Sequence, residues 1–126
     1  MKKPVNLEAK LDKVFSQWVR YSNAHGGYCR CITCGKIEVP GMMDAGHFVG
    51  RQYMCTRWDE RNVHPQCVRC NRFGEGEKDS YAFALVCKYG DGIIAELNER
   101  KQAFCRYSTE DLQKLIEHYQ AKIEAL

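Results

Sequence analysis

The sequence predicts an α+β fold that is mostly α-helical: a small cysteine-stapled core of short strands and turns, with one helix before it and several after it. Three observations predict this. Cys31-Ile-Thr-Cys34 and Cys67-Val-Arg-Cys70 are two C-x-x-C pairs separated by 32 residues, a pattern that suits four thiolates on one zinc ion. Apolar residues recur at helical spacing towards both ends of the chain but not between them. The middle is punctuated by Gly35, Pro40, Gly41, Gly46, Gly50 and Pro65, which break regular elements.

A chain of 126 residues suggests one compact domain, with a core at about 28–90 and helical flanks at 5–24 and 91–126. The chain is 44% hydrophobic and 28% charged, a globular composition with a modest core that a metal staple would help. Eight cysteines would also fit the disulfide framework of a secreted protein. Against that, Met1-Lys2-Lys3-Pro4 leads into charged amphipathic sequence without an apolar leader. No run approaches membrane-spanning length. The expectation is a cytoplasmic protein with reduced thiols. Cys29, Cys55, Cys87 and Cys105 are then ordinary small hydrophobes. Cys29 competes with Cys31 as a ligand, but Cys31 has the standard spacing to Cys34, and Gly35 suits the tight knuckle turn.

Residues 5–24 read as an amphipathic helix. Leu7, Leu11, Val14, Phe15, Trp18 and Val19 form its apolar stripe, Asn6 its N-cap, and His25-Gly26-Gly27 its end. Short strands are expected near 37–39 and 45–50, joined by Pro40-Gly41 as a hairpin carrying His47. A helix should start near Asn71, falter at Gly74-Glu75-Gly76 and resume over 78–89. Gly90-Asp91-Gly92 breaks it, and another short helix follows over 93–103. Ser108-Thr-Glu-Asp111 resembles a capping box and opens a last helix to Leu126, with Leu112, Leu115, Ile116, Tyr119 and Ile123 as its apolar stripe.

The net charge of +3 is modest, but residues 51–72 hold five arginines against Asp59 and Glu60, so this window carries an excess equal to that of the whole chain. Such a patch beside a site suits a polyanionic substrate; alone, it would equally suit a solvated loop. Within the cysteine bracket lie Asp44-Ala-Gly-His47 and Asn62, and Asn71 follows Cys70 directly. Hydrolysis of a phosphodiester needs a base for water, and charge neutralisation at the phosphoryl and leaving oxygens. An imidazole supplies the first and a hard divalent cation the second. His47 is accordingly the candidate general base. Asp44 and Asn71 offer the oxygens that Mg²⁺ or Mn²⁺ prefers, with turn-capping and helix-capping as their simpler roles. Thiolates do not suit such an ion, so two separate metal sites are expected. Asn62 would hold the hairpin and orient His47. His64 is a second catalytic imidazole, a DNA contact or a surface residue before Pro65. Glu75 and Glu77 supplement the metal site or simply face solvent. Arg51, Arg57, Arg69 and Arg72 are candidate phosphate contacts, since guanidinium pairs bidentately with phosphate.

The ordered set Cys31-Ile-Thr-Cys-Gly35, Asp44-Ala-Gly-His-Phe48 and Arg61-Asn-Val-His-Pro-Gln-Cys-Val-Arg-Cys-Asn71, with Gly76 and Tyr81, resembles the NinG/Rap recombination nucleases of lambdoid phages over about residues 15–120. It is the outline of an HNH, or ββα-metal, nuclease, and the metal-site layout is similar to that of phage endonuclease VII. The resemblance implies a structure-selective endonuclease. It would cut branched recombination intermediates, such as D-loops and Holliday junctions, in the cytoplasm of a bacterial host. It would use a structural zinc and a catalytic Mg²⁺ or Mn²⁺. In the resembling endonuclease VII, the Asn after the last zinc cysteine binds the catalytic metal, which supports that role for Asn71. Many HNH enzymes place a metal-binding residue directly before the base; here that position is Gly46. Family members typically carry a further Cys-rich, basic N-terminal region that these 126 residues do not include. A homodimer formed through the C-terminal helical segments would supply the two nicks a junction requires. Two other readings stand beside this one: an HNH nuclease of ordinary duplex DNA, and a non-catalytic zinc module that binds nucleic acid. No membrane association and no small-molecule substrate are expected.

Overall fold

A computed structural model describes residues 5–126; the leader-free stretch Met1–Pro4 lies outside the described residues. Helix α1 (Leu7–Ser22) forms where the apolar stripe predicts it. The Asn6 side chain accepts the Ala9 N–H at 3.0 Å, satisfying one of the donors that open a helix. A turn through Gly26 and Gly27, both at positive φ, ends the segment and leads to strand β1 (Cys29–Arg30). β1 pairs antiparallel with β2 (Ile37–Glu38). A 3-10 turn (Pro40–Met42) follows, and then β3 (Met43–His47). β3 pairs antiparallel with β4 (Val63–Cys67), with Ala45 opposite Pro65, Gly46 opposite His64 and His47 opposite Val63.

This corrects the expected hairpin. Pro40, with its fixed φ, starts a 3-10 turn, so the strand at 37–38 does not fold back onto the strand carrying His47. That strand finds its partner twenty residues later instead, in Val63-His-Pro-Gln-Cys67, every residue of which is buried. Proline is tolerated here because the ribbon has only two strands, and the Pro65 carbonyl is used by the Ile32 N–H at 2.9 Å.

Helix α2 (Met54–Arg57) lies in the loop between β3 and β4. After β4 the chain makes a π-helical turn (Arg69–Phe73). Glu75 and Glu77 then take positive φ values of 54° and 46° before helices α3 (Lys78–Tyr89) and α4 (Ile93–Gln102). Helix α5 (Thr109–Glu124) opens on the expected capping box, with Ser108 and Asp111 bonded in both directions. Among the described residues, no helix is long and apolar enough to cross a membrane.

Helices α1 and α5 pack together. Leu11, Phe15 and Val19 meet Leu112, Ile116 and Tyr119, and Trp58 and Val63 close the cluster. Phe15 and Tyr119 meet edge-to-face, with ring centroids 4.9 Å apart, a preferred geometry for aromatic pairs. The apolar stripe of α5 therefore faces α1 within the chain and is not a surface for a second copy. A second cluster joins α3 and α4, through Tyr81, Leu85, Ile93 and Leu97, to Val49 just after β3. The ribbon carrying His47 is thus gripped from both sides.

Two leftover cysteines depart from the expected reduced state. Cys55 of α2 is bonded to Cys105 in the loop before α5, with Cα atoms 5.2 Å apart. Packing of α2 on α4, tied by Arg100 Nη2 to the Cys55 carbonyl at 2.7 Å, brings these distant positions together. Cys29 and Cys87 remain free thiols, the first buried and the second exposed.

Candidate functional site

The thiol groups of Cys31, Cys34, Cys67 and Cys70 converge, with all four sulfurs within 4.8 Å of one another. The Cys34 and Cys67 sulfurs are 3.7 Å apart. Tetrahedral Zn–S bonds of about 2.3 Å require sulfur–sulfur edges of about 3.8 Å, so the cluster can hold a metal ion such as zinc. Gly35, at φ 78°, lets its N–H turn back to the Cys31 carbonyl at 2.9 Å. Cys29 stays outside the cluster, and burial pushes its thiol up from the usual value, as suits a small hydrophobe. The cluster ties the β1–β2 loop to the end of β4 and to the π-helical turn, and so fixes the backbone that presents Asn71 and Arg72.

A cavity of about 660 Å³ runs along β3, away from β4. It is bordered by Asp44, Ala45 and His47 of β3, by Asp12, Ser16 and Arg20 of α1, and by Arg51, Asn71 and Arg72. His47, Asp44 and Asn71 are therefore brought together as the sequence suggests. The His47 ring is oriented by a backbone group: its Nε2 lies 2.8 Å from the Arg57 carbonyl. A carbonyl only accepts, so Nε2 carries the hydrogen, and Nδ1 is the basic nitrogen of the neutral ring. Burial lowers the His47 pKa; the Arg57 carbonyl opposes that, and the Arg51 charge adds to it. The ring is thereby kept in the neutral form that a general base requires.

Asp44 and Asn71 are in direct contact. Asp44 Oδ2 accepts from Asn71 Nδ2 and Arg72 Nε, each at 2.9 Å, and Oδ1 accepts from Arg72 Nη2 at 2.9 Å. Burial acts to raise the Asp44 pKa, but the bonds from Arg72 and Asn71 hold it below the usual carboxylate value, so it is ionised. Ionised carboxylates offer about four acceptor positions, and three are used. Turning the Asn71 amide over would place its carbonyl oxygen next to Asp44 Oδ2. The 2.9 Å spacing is close to the edge of an octahedron with ligands at about 2.1 Å. The pair fits a small hard cation.

The other sequence candidates fall elsewhere. Asn62 is buried and does not bond the His47 ring. Its side chain accepts the Val49 N–H at 2.8 Å and donates to the Val49 and Thr56 carbonyls at 2.9 and 3.0 Å. It pins the loop that supplies the Arg57 carbonyl, and so acts on His47 one step removed. Arg57 is committed to Asp12, which its Nε reaches at 3.0 Å and its Nη2 contacts more closely; it does not border the cavity, and its guanidinium is largely covered. Arg69 is exposed but away from the cavity. Glu75 and Glu77 are exposed and do not border it either.

His64 is corrected from a catalytic imidazole to a core residue. It is 3% exposed, on the strand turned away from the cavity, with Nδ1 3.2 Å from the Tyr81 hydroxyl and Nε2 2.8 Å from that of Tyr89. Burial, with the Lys88 charge, lowers its pKa from 6.5 to about 4. A group whose pKa is depressed by folding stabilises the fold above its unfolded value and loses that effect as pH falls. Between pH 6.5 and 4 the loss should approach roughly 3 kcal/mol. Urea unfolding of wild type and His64→Gln across that range is expected to converge towards acid; a gap independent of pH would contradict this.

Sequence reading missed Asp12, Ser16 and Arg20, which lie at i, i+4 spacing on α1 and therefore on one face. That polar stripe beside the apolar one was the available signal. Asp12 gathers Arg57, Arg51 and the Trp58 indole N–H, the last at 3.0 Å. Lys78 was missed too: its Nζ donates to the His47 and Phe48 carbonyls at 2.7 Å each, holding the end of β3. Gly46 has a local cause. A Cβ there would lie 2.0 Å from Gln66 Oε1 and 2.8 Å from Gln66 Cβ, so no side chain fits immediately before His47.

The family model described as "Bacteriophage Lambda NinG protein" matches residues 1–126. Protein ninG of Salmonella phage P22 is 32% identical over 97 residues, covering 76% of this chain and 47% of that protein. Protein ninG of Escherichia phage 933W is 31% identical and that of Escherichia phage lambda 30% identical, with the same coverage. The chain spans about half the length of the curated relatives it matches. No solved structure is significantly similar to it.

Proposed function

The chain belongs to the NinG family of phage proteins, and from that membership and the cavity beside β3 we propose that it is a metal-dependent endonuclease that cuts branched DNA. The observation that carries the proposal is His47: a histidine with Nε2 anchored on a carbonyl, in a cavity shared with Asp44, Asn71 and three arginines. In this reading the four cysteines hold a structural zinc, and the β3–β4 ribbon and the following turn serve as the ββα-metal core of an HNH nuclease.

The residues divide the work. His47 Nδ1 takes a proton from the attacking water as a general base. Burial and the Arg51 charge keep the ring basic but unprotonated, so the acid limb of the rate profile falls below the ordinary histidine value. Arg72 and Arg51 are about two-thirds solvent-exposed at the cavity rim, at 62% and 63%, and can turn to phosphate oxygens. Asp44 and Asn71 would hold the catalytic Mg²⁺ or Mn²⁺, which when bound offsets charge on the phosphoryl and leaving oxygens. Asp12 positions Arg57, whose carbonyl in turn positions His47.

The test is cleavage of labelled linear duplex, fork and four-way junction in Mg²⁺, Mn²⁺ or EDTA. Cutting concentrated at the branch and abolished by EDTA is expected. Equal cutting of linear duplex would leave a nuclease without branch selectivity, and binding without cutting of any substrate would make this a non-catalytic module. Sedimentation of the free and DNA-bound protein reads whether two copies provide the two nicks of a junction.

A further inference from the structure

A second concavity, of about 400 Å³, lies along the opposite edge of the ribbon. His64 and Pro65 of β4 border it together with His25, Tyr28, Arg30 and Lys88, and it shares no lining residue with the cavity that holds His47. Its chemistry is different as well. The catalytic cavity mixes Asp12 and Asp44 with its arginines, whereas this groove has no carboxylate among its lining residues. Arg30 and Lys88 are exposed, and neither makes an ion pair among the described residues. Tyr28 is 54% exposed, in the turn whose glycines hold it out from the end of α1. An aromatic face between unpaired cations is how proteins hold a nucleic-acid strand without reading its sequence: phosphates meet the charges, and a base stacks on the ring.

Resting on the endonuclease reading, we propose that this groove is a second DNA site, which takes a single strand diverging from the branch, with its phosphates on Arg30 and Lys88 and an unpaired base on Tyr28. The placement explains branch preference. Gly46 and Ala45 of β3 pair directly with His64 and Pro65 of β4, so the two sites are one ribbon apart on opposite edges. One straight duplex cannot lie along both edges, whereas two strands parting at a branch can. Selectivity then comes from the shape of the substrate, not from base edges.

The experiment uses the full chain and three labelled DNAs of equal length: linear duplex, a fork with single-stranded arms, and a free single strand. Binding of each is measured by fluorescence anisotropy against salt concentration, and cleavage by gel, for wild type, Tyr28→Ala and Arg30→Ala/Lys88→Ala. These side chains are exposed, and thermal melting verifies that the variants fold. Tyr28→Ala is expected to weaken fork and single-strand binding about tenfold, within the range for one stacked base, and to leave linear duplex binding unchanged. The double variant should reduce the salt slope for the fork by about two counterions, one for each lost phosphate contact. Unchanged fork affinity and slope in both variants would overturn the proposal, as would an equal loss on linear duplex. Should wild type bind forks through these residues yet cut nothing, the endonuclease reading fails and the strand site stands. Should wild type cut forks and both variants match it, the reverse holds.

Discussion

His47→Ala is expected to remove cleavage while leaving binding of forked DNA intact. General bases contribute typically about 10²–10⁴ in rate, so cutting by the variant should fall by at least about a hundredfold under saturating metal. The alanine also leaves the Arg57 carbonyl without its partner, a loss of about 1–3 kcal/mol if that group stays buried. His47→Gln separates the two effects, since an amide N–H can still meet the carbonyl but no basic nitrogen remains. Both variants should lose activity, while His47→Gln should melt closer to wild type. Undiminished cutting by either one removes His47 as the base. Loss of activity in His47→Ala with recovery in His47→Gln would make the ring a structural support instead.

Cys67→Ser should have the largest effect on folding. Cys67 ends β4, next to the turn with Asn71, and its sulfur is one of four in the cluster. Structural zinc sites contribute about 10–16 kcal/mol in small zinc domains, comparable to the whole stability of an ordinary domain at about 5–15 kcal/mol. Loss of one ligand is therefore expected to release the metal, loosen the β1–β2 loop from β4 and abolish a single cooperative melting transition. The α1–α5 pair has its own apolar cluster and should keep part of its helical signal. Bound zinc is read by atomic absorption and folding by circular dichroism. One zinc per chain with an unchanged Tm would contradict the structural role of the cluster.

Several features were legible in the chain because they depend on neighbours in sequence. The apolar stripes of α1 and α5 repeat every three or four residues, and the Asn6 cap and the Ser108–Asp111 box act within a single turn of helix. The cysteine set was legible through spacing, because a C-x-x-C knuckle is local and Gly35 has the φ that it needs. What escaped was long-range. β4 was read as irregular because Pro65 argues against a strand, yet its partner lies twenty residues earlier. His64 looked catalytic from its place near Asn62 and Cys67; only strand alternation and the Tyr81 and Tyr89 hydroxyls make it a core residue. Arg57 looked like a phosphate contact until α1 brought Asp12 against it.

Sequence alone determined the chemistry on offer: four thiols at metal spacing, one imidazole, one carboxylate, and an asparagine beside the last cysteine. The order of those residues also placed the chain in its family. Tertiary structure decided which groups meet. It chose the Arg57 carbonyl, not Asn62, to orient His47, added Asp12 and Arg20 to the cavity, and joined Cys55 to Cys105. The physical reason is that a residue type and a short spacing specify what a side chain can bond, whereas a backbone carbonyl is present at every position and acquires a partner only once packing has brought distant segments together.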